Sequence, residues 1–410
     1  MKFNREYDVI VIGGGAAGCF AAIKCAEYGN SVCIIEPNQK LGRKLAITGK
    51  GRCNVTNNSD NETILKNIPR NPSFMYSALN GFSARDCMDF FEGLGVPLKT
   101  ERGNRVFPVS DKAYDIVDAL YREINRLNVT IIHDRAKHIL AENGAAAGVD
   151  CGKSCYGSQK VILATGGMSY PVTGSTGDGY RMAAELGHTV TPIKPSLVPL
   201  VTVDDCSVMM GLSLKNVVLS LKDEKKGKVL FSEIGEMLFT HFGISGPLVL
   251  SASSYINEME SDRYTAYIDL KPGLDRKQLD LRVQRDFREM QNKVLSNALV
   301  KLLPSKLILP FIKKAGLDPE KRVNEFTREE RMKLLDCMKA FPIIIRDFRP
   351  VDEAIITDGG ISVKEINPKT MESKLINGLY FAGEIIDVTG FTGGFNLQIA
   401  FSTANAAALG

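Results

Sequence analysis

The sequence has almost no charge excess: across 410 residues, 51 Lys and Arg face 47 Asp and Glu, a formal balance of +4. Such a balance favours neither a nucleic-acid wrapper nor an acidic surface. Its nine cysteines are odd in number and scattered, with no C-x-x-C and no close pair beside a suitable histidine. That pattern excludes a disulfide framework and a zinc site, so no metal is expected, and it points to the cytosol. No apolar run is long enough to span a bilayer. The uncharged stretch from Val9 to Ile23 follows Glu6 and Asp8 and is interrupted by four glycines, unlike the core of a signal peptide. Internal repeats and low-complexity segments are also lacking. What is present is an ordinary globular composition, 44% apolar and 24% charged, with length for two or three domains at roughly 150 residues each.

Tyr7 to Ile12 is a β-branched apolar run followed by glycines, a small-residue helix from about Ala16 to Tyr28, and a second buried strand from Ser31 to Glu36. Strand, turn, helix, strand is the opening of a nucleotide-binding α/β domain. Ser83 with Asp86 marks a helix start, and a second amphipathic helix spans roughly Lys112 to Leu127. Val129 to His133 reads as a strand, Asn143-Gly144 as a hairpin turn, and Val161 to Ala164 as a buried strand ending in Gly166-Gly167. Past Pro199 the pattern changes to short strands separated by polar turns, predicting a β-rich insert over 196–274. From Arg276 the periodicity is helical, predicting a helical insert over 275–341. From Arg276 to Lys333, 15 Lys and Arg face 8 Asp and Glu, so this segment is locally basic. Strand-like runs return after Phe341, and Leu379 to Ala382 ends in Gly383-Glu384. The expected organisation is a discontinuous domain, 1–195 and 342–410, interrupted by the two inserts.

Gly13, Gly15 and Gly18 form G-x-G-x-x-G directly after a strand, with Ala16 and Ala17 leading into the helix and Glu36 ending the next strand. Gly13 permits the turn, Gly15 admits a pyrophosphate, Gly18 lets helix and strand pack closely, and Glu36 can accept both ribose hydroxyls. A nicotinamide-binding fold would not ordinarily need a second glycine-ended strand near the C-terminus. Here Gly383 and Glu384 are followed by Gly390, Gly393, Gly394 and Asn396, then a small, apolar, helical-looking run. A helix starting there aims free N–H groups at an electron-rich edge, such as that of a reduced flavin. FAD is therefore the better fit. Arg43, Lys44 and Arg52 supply cations for its pyrophosphate, and Gly49 and Gly51 allow close approach.

The sequence resembles a family of two-dinucleotide-binding-fold flavoproteins that includes bile-acid-pathway ene-reductases, ribosomal RNA dihydrouridine synthases and proteins labelled aminoacetone oxidase. The resemblance rests on Leu41-Gly42-Arg43-Lys44-Leu45, the run from Gly49 through Arg52, Cys53 and Asn54 to Asn57, Arg105 to Pro108, Thr173 to Gly179, Leu238 to Gly243 with Ser245-Gly246-Pro247, and Gly383 to Asn396. These motifs span nearly the whole chain. Lys50 stands where many members have glycine, and either brings a positive charge near the flavin or points to solvent. The resemblance implies an α/β, Rossmann-like FAD domain with its flavin facing the inserts, and a cofactor contact from Gly166. Cys53 lacks a nearby partner thiol, so packing beside the flavin is its expected role.

Among four histidines, His241 is the best proton-handling candidate, in a glycine-rich turn before Pro247; capping the helix or holding the loop is the structural alternative. Arg105, Tyr170 and Arg346 are weaker candidates for gripping a substrate oxygen. Hydride from a flavin to an electron-poor carbon, with a proton supplied beside it, describes reduction of a C=C bond conjugated to a carbonyl. Within the family's substrate types, a hydrophobic 3-oxo-4-ene or 4,6-diene steroid or bile-acid intermediate leads, and the uracil 5,6 bond of ribosomal RNA is the alternative. The basic segment could meet RNA phosphates, but Phe287, Phe311 and Phe326 are a thin supply for stacking bases. An amine oxidase using O2 is a third reading. With no second G-x-G-x-x-G, NAD(P)H is expected to visit the flavin transiently.

Overall fold

The computed structural model describes residues 3–410. Val9–Ile12 is buried at every position and pairs in parallel with Val32–Ile35 on one side and Lys160–Leu163 on the other. Continuous apolar runs are what a parallel sheet covered on both faces requires. Thr130–Ile132 and Leu379–Phe381 extend the sheet to five strands. From Val9–Ile12 the chain adds two strands on one side before two on the other, so strand order reverses beside this strand, where doubly wound sheets take their ligands. Ile12 pairs with Leu163, and Leu163 with Phe381. That register delivers Gly13, Gly166 and Gly383 to the same edge.

Helices Ala16–Glu27 and Phe395–Leu409 pack against each other. Phe20 meets Phe82, Phe90 and Phe401 at centroid distances of 4.8, 4.9 and 5.4 Å. The capping box predicted at Ser83 and Asp86 is formed and starts Ala84–Gly93. Arg43–Gly51 begins as a helix and breaks at Thr48, Gly49 and Lys50.

The chain divides into two compact units, one built from the residues up to 196 with 351–410, the other from 197–350. Each has its own hydrophobic core. In the second unit Leu200–Thr202, Gly243–Ser245, Lys228–Phe239, Ser213–Asp223, Tyr264–Asp269 and Phe341–Phe348 form a closed barrel in that order. Two expected boundaries change here. Phe341–Phe348 pairs with Tyr264–Asp269 and with Leu200–Thr202, so the second boundary lies after Pro350 rather than at 341; closing a barrel removes the edges that an open sheet leaves unpaired. The strand and helical segments also form one unit, because Leu279, Phe311 and Leu334 share a core with Leu219, Ile268 and Ile343.

Candidate dinucleotide site

The three fingerprint glycines divide into two that packing dictates and one that stays open. A Cβ on Gly18 would lie 1.9 Å from the carbonyl oxygen of Gly13, and one on Gly13 would lie 2.6 Å from that of Ala164. At Gly15 nothing lies within 4 Å. Gly15 is the N-cap of Ala16–Glu27, with no side-chain cap and no acidic residue in the first turn. The first-turn amides and the positive helix end are thereby left to an anion. Ala16 is half-buried at this mouth and Ala17 is buried.

Glu36 stands beside the same turn. Its Oε2 accepts the Gly14 N–H at 2.8 Å, and its Oε1 accepts the Asn38 backbone N–H at 2.9 Å and Nδ2 at 2.6 Å. A cleft next to it is lined by Gly13, Glu36, Arg135, Ala136, Thr165, Gly174, Thr176 and Asp178. Arg135 and Asp178 form an ion pair. The hydroxyl of Thr165 is buried without a hydrogen-bond partner among the described residues, as is Oδ1 of Asn54. Buried polar atoms ordinarily find partners. Open space at Gly15, an uncapped helix and these unmatched atoms fit a dinucleotide.

The expected phosphate cations have different surroundings. Arg43 is exposed and donates to the side-chain oxygen of Asn38. Lys44 Nζ lies 2.6 Å from Glu384 Oε2 and 2.7 Å from Ser169 Oγ, joining positions 340 residues apart. Arg52 is held within the protein. Its guanidinium pairs with Glu101 and Asp111, each at 2.5 Å, and stacks 4.1 Å from the Phe107 ring centroid. Two carboxylates and a ring thus fix the group in the turn from Gly49 to Cys53. In that turn Gly49, Lys50, Gly51 and Cys53 all have positive φ, and Lys50 is exposed. Cys53 is fully buried, and burial pushes its thiol up to about 12. It packs as a neutral thiol.

The C-terminal glycines meet the N-terminal motif directly. Asn57 Nδ2 donates to the Gly393 carbonyl at 2.9 Å, and Thr56 Oγ1 donates to Gln398 Oε1 at 2.6 Å. A Cβ on Gly394, whose φ is +99°, would lie 2.3 Å from the Thr56 carbonyl oxygen. Gly394 is the N-cap of Phe395–Leu409, again with no side-chain cap and no acidic residue in the first turn. Gly383 donates its N–H to Thr403 Oγ1 at 2.9 Å, and a Cβ on it would lie 2.8 Å from that of Ala17. Gly166 also has positive φ. Asn396, expected to contact the cofactor, holds the loop: its Oδ1 accepts the Gly390 N–H at 2.9 Å, and its Nδ2 donates to the carbonyls of Gly390 and Phe391. Thr56 and Asn57 entered the sequence reading only as part of the Gly49 to Asn57 run, with no role of their own, and Gln398 did not enter it. The available signal was Gln398, Ser402, Thr403 and Asn405, four buried polar residues in a helix of mostly small and apolar ones.

The three catalytic candidates are divided between the two units. Tyr170 is half-buried with positive φ, and Arg105 is exposed and donates to the Arg102 carbonyl at 3.0 Å; both belong to the first unit. His241 lies in the second, exposed in a turn closed by the Thr240 N–H donating to the Gly243 carbonyl at 2.8 Å. Its ring meets Phe242 edge-on at 5.0 Å, and Arg349 stacks on Phe242 at 4.6 Å. The Thr240 hydroxyl beside it is buried without a hydrogen-bond partner among the described residues. Arg346 is exposed. Among the described residues no cluster of His, Cys, Asp and Glu could hold a metal, and no helix is long and apolar enough to cross a membrane.

Residues 7–410 match the model of the HI0933-like protein Rossmann domain. The chain is 31% identical over 408 residues to the ribosomal RNA dihydrouridine synthase of Escherichia coli, covering 98% of each chain. It is 30% identical over 398 residues to the 3-dehydro-bile acid delta(4,6)-reductase of Clostridium scindens, covering 96% of each. Among solved structures it resembles the apo Sdh1 complex of Mycobacterium smegmatis, with a TM-score of 0.51 and 18% identity over 99% of this chain and 68% of that one. The 3-ketosteroid delta1-dehydrogenase of Sterolibacterium denitrificans has a TM-score of 0.50 and 14% identity over 98% and 99% of the two chains. At these identities the structural likeness is one of fold.

Proposed function

From its membership of the HI0933-like Rossmann-domain family, to which this chain belongs, we propose that it is an FAD-dependent reductase that uses NAD(P)H to reduce a C=C bond conjugated to a carbonyl. The observation that carries the reading is the delivery of three glycine-bearing strand ends to one edge of the sheet, in the unit that also holds two helix N-termini without side-chain caps. Bound FAD would supply the hydride acceptor and donor, passing a hydride from N5 to an electron-poor carbon.

The chain's own residues divide the remaining work. Gly15, Ala16 and Ala17 present first-turn amides to the pyrophosphate, with Arg43 as a neighbouring cation. Glu36 accepts from the adenosine ribose, with one carboxylate oxygen shared with Gly14. Gly166, Gly383, Glu384, Gly51 and Asn54 would hold the remainder of the cofactor, and Lys44 fixes the Glu384 carboxylate. Gly393, Gly394 and the amides that follow would stabilise the negative charge that a reduced flavin carries. His241 gives a proton to the substrate carbon, while Arg105 and Tyr170 steady the carbonyl oxygen.

A small hydrophobic enone, steroid or bile-acid-like, is the leading substrate. The pairing of the basic segment supports it: Arg282 with Asp286, Lys301 with Glu289, Lys314 with Asp204, Lys321 with Glu330 and Arg331 with Asp280 all lie within 3 Å. These pairs engage five of the segment's fifteen cations and so reduce what it offers to phosphates. The second reading, uracil in ribosomal RNA, is favoured by the name of the relative at 31% identity. Both substrates carry a double bond conjugated to a carbonyl. Anaerobic reduction of the flavin by NADH or NADPH, then reoxidation by a dienone steroid or by unmodified ribosomal RNA, separates them. Rapid reoxidation by one alone identifies the substrate class. A flavin that neither nicotinamide reduces, with peroxide released on adding an amine, overturns the reductase reading in favour of an amine oxidase.

A further inference from the structure

The loop from Asp387 to Gly394 carries the chain from the edge of the sheet to the N-terminus of the closing helix, and a second segment of the first unit straps it down. Arg70 grips both carboxylate oxygens of Asp387, through Nε to Oδ1 and through Nη2 to Oδ2 at 3.0 Å. Asn71 Nδ2 donates to the Asp387 carbonyl at 2.6 Å, the Phe391 N–H donates to the Asn67 carbonyl at 2.9 Å, and Arg70 forms an antiparallel bridge with Thr389. Arg70 Nη1 also lies 3.6 Å from Asp358, which accepts from Thr389 Oγ1 at 2.9 Å and pairs with Lys194 at 3.2 Å. Asp387 is only 4% exposed and Asp358 8%. One guanidinium thus neutralises one buried carboxylate, approaches a second, and fixes the backbone between them.

Nothing in the proposed chemistry uses these groups, yet the cost of leaving them unpaired is large. Removing one partner of a buried ion pair strands the other in a medium that solvates it poorly. Resting on the FAD reading above, we propose that Arg70 is a positioning residue: it sets the path of Asp387 to Gly394, and through it the aim of the final helix at the bound flavin. The helix end stabilises negative charge only over about its first turn. A small displacement of this loop therefore changes how well the reduced, anionic flavin is stabilised.

The test compares wild type, Arg70→Met, Arg70→Lys and Asn71→Ser by FAD titration of the flavin-free protein and by the flavin midpoint potential. Arg70→Met is expected to weaken FAD binding about tenfold or more and to shift the potential to a more negative value. Arg70→Lys restores part of both, and Asn71→Ser, which loses one hydrogen bond and no charge, shifts both the same way by less. Unchanged potential and affinity in Arg70→Met overturn the proposal. If Arg70→Met does not fold, the same null result in Asn71→Ser and Arg70→Lys overturns it. A wild-type chain that takes up no FAD overturns the cofactor reading itself, and this inference with it.

Discussion

Thr56 and Gln398, 342 positions apart, share a 2.6 Å hydrogen bond between two fully buried side chains. Gln398 Nε2 is also committed, donating to the Phe82 carbonyl at 3.0 Å and to Ser402 Oγ at 2.9 Å. The motif after Gly49 and the helix after Gly394 are therefore one piece of polar packing. Thr56→Val keeps the shape and removes the donor, leaving Oε1 of Gln398 unpaired. The expected loss is about 1–3 kcal/mol, read from the first unit's urea transition in flavin-free protein. No change in that transition would mean that the bond contributes nothing net.

Glu36 has two duties, and a pair of variants separates them. Its carboxylate ties down Gly14 and Asn38 and is placed to accept from a ribose. Glu36→Ala should loosen the turn and weaken FAD retention, while Glu36→Gln keeps one oxygen for a single acceptor role and should fall between wild type and Glu36→Ala. Flavin content after gel filtration measures this. Full flavin content in Glu36→Ala would remove the ribose assignment.

Lys44 and Glu384 are each about one-fifth exposed, so their attraction is partly screened. Lys44→Met should cost no more than about 1 kcal/mol of stability. FAD affinity should fall further than that, because Glu384 loses the group that orients it. Equal effects on the two quantities would make the pair merely structural.

His241 is exposed, so His241→Gln should leave stability within about 0.5 kcal/mol of wild type. Reoxidation of the reduced flavin by the conjugated ketone should slow much more than reduction by NAD(P)H. If both half-reactions slow equally, His241 is not the proton donor.

His188 gives the fold a pH dependence. It is buried against Ser373 at 2.8 Å, and burial holds its imidazole below the ordinary value of 6.5 although Glu365 lies 3.3 Å away. A depressed histidine binds its proton more readily in the unfolded chain. Its contribution is fully present above the ordinary value and is lost as pH falls below it towards the depressed one. Urea unfolding at pH 8 and pH 5.5 should show this loss, and His188→Gln should flatten it; an equal slope in the variant would assign the loss to other groups.

Local signals in the sequence were readable where one residue type has one physical use. The five-stranded sheet followed from β-branched runs such as Val9–Ile12, the first helix from its glycine turn, and Ala84–Gly93 from the Ser83 and Asp86 capping box. What escaped depends on distant partners. Phe341–Phe348 alternates like any half-buried strand, and only its pairing with Leu200–Thr202 shows that it closes a barrel. The partners of Arg52, Glu101 and Asp111, stand far along the chain and could not be read beside it. The loop bonds of Asn396 are invisible without the turn that brings Gly390 back to it.

The first unit is split along the chain, whereas 197–350 is continuous. During vectorial synthesis the barrel has every strand it needs while the parallel sheet still lacks Leu379–Phe381 and the layer formed by Phe395–Leu409. Nascent chains should therefore acquire protease resistance in the middle first. The cofactor cradle matures only after translation has passed the last helix, so FAD loading is a late event that the chain's own wiring imposes.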